Sequence, residues 1–226
     1  MTRTIAVLLF CLIGVIAFGQ DASDISFKLI KELTQPQKLA TQYTIINQYN
    51  DGRPDQKMSV QVLKNKGNYF QKSDREEILL ADGLFVKNNI TRKTILISPL
   101  EKEKAKASVG MLDTALLRYL KNAAILSSNP SAYQMRISFP SGMIFQSLFV
   151  EADLKSKKLK KIVYDFNPIE IPFQKTCTII FSEFNVHPKF SKQTFSTKQY
   201  FISDGKNIIP TEKFKGFQIL DQRASI

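Results

Sequence analysis

The hydrophobic and polar positions divide the chain into one long apolar run, two helical stripes and two series of strands. Residues 5–18 form the apolar run. Within 24–33, Ile25, Leu29, Ile30 and Leu33 recur at helical spacing, with Phe27 at the edge of the stripe. Ser23 or Asp24 can cap this helix, and Pro36 marks its end. Strands are predicted over 39–49, 58–63, 69–72, 77–81, 84–87 and 94–98. Asp51-Gly52-Arg53-Pro54, Lys66-Gly67-Asn68 and Asp82-Gly83 turn the chain between them. An Asp-Gly pair between apolar runs is a strong hairpin signal, because both residues tolerate a left-handed backbone.

Pro99 ends this meander, and a charge-rich connector follows at 101–106. The second helix is predicted over 111–124, with Leu112, Ala115, Leu116, Tyr119, Leu120 and Ala123 on one face. Asn129-Pro130 breaks it. Tyr133, Met135, Ile137 and Phe139 then alternate with Gln134, Arg136 and Ser138, and Ser141-Gly142 turns the chain. Residues 143–151 are apolar on both parities: Met143, Phe145 and Phe149 against Ile144, Leu148 and Val150. Further strands are predicted over 159–166, 176–185 and 195–202, with a last turn at Asp204-Gly205. Short turns join only neighbouring antiparallel strands. The order helix, strands, helix, strands therefore implies an α+β fold with an antiparallel sheet.

Composition narrows the function. A chain of 226 residues allows one sizeable domain. Residues 1–19 read as a cleavable signal peptide, with Arg3 before the apolar run and small residues at Ala17 and Gly19. The 14 residues of 5–18 are too few to span a bilayer, which needs about 20. Cys11 does not make a lipobox, since Phe10 precedes it and apolar sequence continues past it. Residues 20–226 are expected to form a single domain. With Arg3 removed, 31 basic and 20 acidic residues leave the mature chain at +11. The excess concentrates at 102–106, 155–161 and 189–198. Export argues against nucleic acid as a partner, and leaves phospholipid and lipopolysaccharide head groups as the polyanions within reach.

Candidate catalytic chemistry is sparse. One His and two Cys make a His-based metal site or triad a poor expectation, and Cys177 alone remains after cleavage. No Gly-rich phosphate loop is present. His187 falls at a strand end, and Asp82 in a turn has a local backbone role. The chain is expected to be non-enzymatic, with no cofactor, no catalytic residue and no metal ligand.

Lys66-Gly-Asn-Tyr-Phe-Gln71, then Glu77-Ile-Leu-Leu-Ala-Asp-Gly83-Leu-Phe-Val86, then Thr94-Ile-Leu-Ile97 resembles the periplasmic outer-membrane lipoprotein carrier (LolA-like) family. Leu159-Lys-Lys-Ile-Val-Tyr-Asp165 and Thr178-Ile-Ile-Phe-Ser-Glu-Phe-Asn185 resemble the family's closing strands. The resemblance spans roughly residues 24–202. It implies an unclosed, strongly curved antiparallel β-sheet, a half-barrel with helices covering the concave face. It also implies a periplasmic carrier holding acyl chains of lipid or lipoprotein. The family's partners are an inner-membrane transporter and an outer-membrane receptor, and a monomer is expected. The expected ligand-binding face carries Met135, Ile137, Phe139, Met143, Phe145 and Phe149 from the strands, with Ile30, Leu112, Leu116 and Leu120 from the helices. Met and Phe suit irregular chains, because the thioether is adaptable. The alternative is an envelope interaction or sensor protein on the same scaffold, its cavity filled by its own side chains.

Overall fold

A computed structural model describes residues 28, 32–33, 36–100, 119, 123–203 and 207–223. The predicted signal peptide, most of both predicted helices, the basic segment 102–106 and the turn at Asp204-Gly205 lie outside the described residues. So do four expected site residues: Ile30, Leu112, Leu116 and Leu120. Lys28, Glu32 and Leu33 are helical.

Apart from these and two short 3-10 turns, the regular elements among the described residues are strands. The first series is β1 (Lys38–Tyr49), β2 (Gln56–Asn65), β3 (Asn68–Ser73), β4 (Glu76–Ala81), β5 (Leu84–Asn89) and β6 (Thr94–Pro99). The second is β7 (Ala123–Ser127), β8 (Tyr133–Ser138), β9 (Phe145–Asp153), β10 (Lys158–Phe166) and β11 (Gln174–Asn185). Three short strands close the chain: β12 (Phe201–Ser203), β13 (Ile208–Pro210) and β14 (Gln218–Asp221). Asp82 (φ 54°) and Gly83 (φ 72°) both take the left-handed conformation, which matches a hairpin turn to the twist of β4 and β5.

Twelve strands form one sheet in the order β14-β6-β5-β4-β3-β2-β1-β11-β10-β9-β8-β7. β14 and β7 are its two edges, so it is not closed into a barrel. β1 is the seam, pairing with β2 on one side and β11 on the other, each antiparallel. β12 and β13 form a separate two-stranded pair.

Three expectations need correction. The second helix does not reach 124: Ala123 and Ala124 begin β7, paired with Ile137 and Arg136 of β8. The segment is apolar enough to read as helix, but the backbone of β8 offers it a ladder. The tail segment 195–202 is not a strand of the main sheet. It is a 3-10 turn at Thr197–Gln199 followed by β12. Nor is the sheet wholly antiparallel. β14 lies parallel to β6, Ile219 beside Ile95 and Leu220 beside Leu96. The long return through residues 189–217 permits that direction where a short turn would not.

Alternation sorts the apolar residues of this sheet into two cores, one on each face. The inner face carries Val60, Val62, Tyr69, Leu80, Met135, Ile137, Leu148, Val150 and Ile162, all buried in one cluster with Leu33 and Leu39. The outer face of β4–β6 carries Leu79, Ala81, Val86, Ile95 and Ile97. Phe195, Tyr200, Phe201 and Phe214 from the tail complete that second core. The Tyr200 and Phe214 rings stack at 5.4 Å, and Phe217 meets Phe214 edge-on at 5.3 Å.

Polar contacts fasten the tail. Lys93 O accepts from Gln218 N at 2.9 Å, and Ile97 O from Gln222 N at 2.8 Å. The Asp82 carboxylate accepts from the Thr197 hydroxyl at 3.3 Å. Glu77, buried beneath the tail, lies 3.3 Å from Lys72 Nζ and 3.9 Å from Lys213 Nζ, and accepts from Asn88 Nδ2 at 3.4 Å. Burial and the Glu77 charge push the Tyr200 phenol well above its ordinary pKa.

The apolar inner face as candidate binding site

Register decides which side chains share the inner face. Met135 stands opposite Val150, Ile137 opposite Leu148 and Tyr133 opposite Ala152. Side chains directly opposite in a ladder share a face. On β10, Ile162 pairs with Val150 and Tyr164 with Leu148. On β11, Ile179 and Cys177 follow, and across the seam come Ile45 and Asn47 of β1. Met58 and Val60 of β2 continue the row beside Ile45 and Tyr43.

Burial along this face is graded. Met135 and Ile137 are 0% and 1% exposed and belong to the packed core. Tyr43, Ile45, Met58, Ile78, Phe85, Tyr164, Ile179 and Phe181 are only half-buried, packed against that core. Aromatic contacts knit them together. Tyr43 meets Phe181 at 5.5 Å, and Phe181 meets Phe184 at 5.5 Å. Phe139 packs against the core and meets Tyr119 edge-on at 5.4 Å.

The expected strand residues therefore separate. Met135, Ile137 and Phe139 lie together on the inner side. Phe149 does not: it pairs with Arg136 and Val163, on the opposite face from Leu148 and Val150. The two parities of β9 are equally apolar, and its pairing with β8 selects the even one. Phe145 shares the odd parity with Phe149 but reaches the inner side. The ladder slips between Ser147 and Phe145, opposite Asp165 and Phe166, and such a bulge re-aims a side chain. The Phe145 ring then lies 5.1 Å from Tyr164 and 5.0 Å from Phe166. Met143 lies in the loop before β9, where its carbonyl accepts from Asn167 Nδ2 at 3.2 Å.

Burial perturbs several polar groups on this face. It pushes the Tyr43 phenol up to about 12 and raises Tyr69 further, where the nearby Tyr43 adds to the effect. It raises the Cys177 thiol and lowers the Lys64 ammonium. The Tyr69 hydroxyl donates to Gln71 Oε1 at 2.6 Å. These shifts all disfavour charge, as an apolar surface requires. Tyr43, Ile45, Met58, Ile179 and Phe181 were not among the expected site residues; they join this face only through pairing at the seam.

At one end of the inner face lies a cavity of about 480 Å³, lined among the described residues by Glu32, Leu33, Pro36, Gln37, Lys38, Lys157, Val186 and His187. Among the described residues no group of three or more His, Cys, Asp or Glu side chains could hold a metal ion. No helix among them is long and apolar enough to cross a membrane.

No protein-family model matches this sequence, and no curated protein matches it. Solved structures do. An uncharacterized conserved protein from Thermus thermophilus is 9% identical over 86% of this chain and 98% of its own, with a TM-score of 0.47. LprF from Mycobacterium bovis is 12% identical over 76% and 97%, at 0.46. A LolA superfamily protein from Nitrosomonas europaea is 10% identical over 78% and 98%, at 0.35. The LolA superfamily, which the sequence resembles, is thus among the structural neighbours.

Proposed function

We propose that this protein is an exported, non-enzymatic periplasmic carrier. Its inner face, a half-barrel wall, holds acyl chains of a lipid or lipoprotein. The observation that carries this reading is the apolar row from Met58 through Ile45 and Ile179 to Tyr164, half-buried beside a fully packed core. Each CH₂ buried there contributes about 0.8 kcal/mol. A palmitoyl chain supplies on the order of 10 kcal/mol before ordering costs. In this reading residues 1–19 are removed on export.

Lipid co-purifying with the mature protein, read by native mass spectrometry, tests the proposal. A fluorescent acyl probe tests the face. Phe145→Asp should abolish probe binding with the sheet still folded, because a carboxylate facing the chain resists desolvation. Phe149→Asp, on the opposite face, should leave binding intact. The full burial of Met135 and Ile137 favours a second reading, an envelope interaction or sensor protein with a self-filled core. Wild-type protein that carries no lipid and binds no probe would decide for it.

A further inference from the structure

The cavity at the end of the inner face has a composition that the acyl-chain reading alone does not use. Its floor is apolar. Leu33 is buried in the inner core, Pro36 is buried, and Val186 packs against that core. Its rim is basic. Lys38 at the start of β1, Lys157 in the turn between β9 and β10, and His187 beyond β11 are all exposed and line it together. Glu32 is the one carboxylate among the described lining residues. None of the ion pairs formed among the described residues engages Lys38 or Lys157. A volume of about 480 Å³ lies within the roughly 300–1,000 Å³ of small-molecule sites.

Two chemistries thus meet in one place. A free inorganic anion would leave the apolar floor unused. A neutral amphiphile would leave the rim, two ammonium groups against one carboxylate, with an unbalanced positive charge. A molecule with an apolar chain and an anionic head satisfies both. The chain-wide excess of positive charge, +12 over the whole sequence, favours the approach of such a head group. The predicted basic cluster at 155–161, which the acyl reading left without a role, supplies Lys157 to this rim. We propose that this cavity receives the phosphate-bearing head group of an acyl lipid whose chain lies on the inner face. The inference rests on the carrier reading above.

The test compares three probes that differ by one part each, on the full mature chain. Palmitoyl lysophosphatidic acid has chain and phosphate, monopalmitoyl glycerol has the chain alone, and glycerol phosphate has the head alone. Wild-type protein should bind the first about tenfold more tightly than the second, the factor given by 1.4 kcal/mol. That preference should weaken with added salt, as exposed charges do. In K38E/K157E it should vanish while affinity for monopalmitoyl glycerol stays constant. Both lysines are exposed, so the fold should persist, and K38Q/K157Q gives the same reading should charge reversal disturb it. Glycerol phosphate should not compete with either acyl probe. Equal wild-type affinity for the two acyl probes overturns the proposal and leaves the carrier reading standing. So does a preference that survives both double substitutions. Glycerol phosphate binding as tightly as the lysolipid makes this a free-phosphate site and also overturns it. No binding of either acyl probe overturns the carrier reading and this inference together.

Discussion

Phe214→Ala tests whether the two faces of the sheet are energetically separate. Phe214 is 5% exposed, stacks on Tyr200, meets Phe217 edge-on and carries Lys213 Nζ 4.7 Å above its ring. It belongs to the outer core, on the opposite face of the sheet from the inner one. Truncating a buried Phe to Ala costs about 3–5 kcal/mol, part from lost burial and part from the cavity left. A domain holds only about 5–15 kcal/mol in total, so the loss is a large fraction of its stability. The tail should be hit first, because its hold on β4–β6 depends on four aromatic side chains. Urea unfolding followed by circular dichroism measures the total. Limited trypsin digestion at Lys213 and Lys215 reports release of the tail in native buffer. The acyl probe should bind the variant with unchanged affinity wherever it remains folded. A stability change below about 1 kcal/mol would refute the packing argument. A fall in probe affinity as large as that of Phe145→Asp would refute the separation of faces.

Other perturbations follow the same logic. Glu77→Gln removes the charge that pairs with Lys72 of β3 and Lys213 of the tail and accepts from Asn88; a loss of about 1–3 kcal/mol in thermal unfolding is expected, with faster tryptic release of the tail. Tyr43 has a folded pKa of about 12 against an ordinary 10.0, so its contribution is fully present below pH 10 and is lost as pH rises toward 12. At about 1.4 kcal/mol per unit that is on the order of 3 kcal/mol, and Tyr43→Phe should flatten this part of the alkaline unfolding profile. Lys64 acts in the opposite sense: its lowered pKa makes its burial cost fade as pH climbs toward the ordinary 10.5, so Lys64→Met should raise stability at neutral pH most. Cys177, half-buried and with a raised pKa, should label with a thiol-disulfide reagent far more slowly in the folded protein than in urea.

Strand identity was legible wherever one face met solvent. Tyr133-Gln-Met-Arg-Ile-Ser138 alternates cleanly, and β8 buries Tyr133, Met135 and Ile137 while exposing Arg136 and Ser138. Where both faces are covered the pattern fails as a guide. Ile78-Leu79-Leu80-Ala81 reads as a strand, and its unbroken apolarity reflects a second core on the outer face. The tail that builds this core carries its aromatics at Phe190, Phe195, Tyr200, Phe201, Phe214 and Phe217, in no regular period. The inner face was half legible for a related reason. Met135 and Ile137 follow from alternation alone. Phe145 follows only from a bulge, and Phe149 was misplaced because β9 is apolar on both parities. The pairing of β1 with β11 spans well over a hundred residues, so no local pattern announces that Ile45 and Ile179 are neighbours.

The tail has a mechanical consequence. A plate braced on both surfaces resists bending far more than one braced on a single surface. β4–β6 are braced twice, by the inner core and by the aromatic tail. Among the described residues β8–β11 are braced once, since their outer surface carries Arg136, Glu151, Lys161 and the exposed Ile180. The two halves meet along β1, where the ladder with β11 slips at Gln42/Tyr43 and again at Gln48/Tyr49. The half of the sheet under the tail should therefore be the stiffer one, with the irregular β1–β11 ladder at the junction. Hydrogen exchange should accordingly be slower in β4–β6 than in β8–β10.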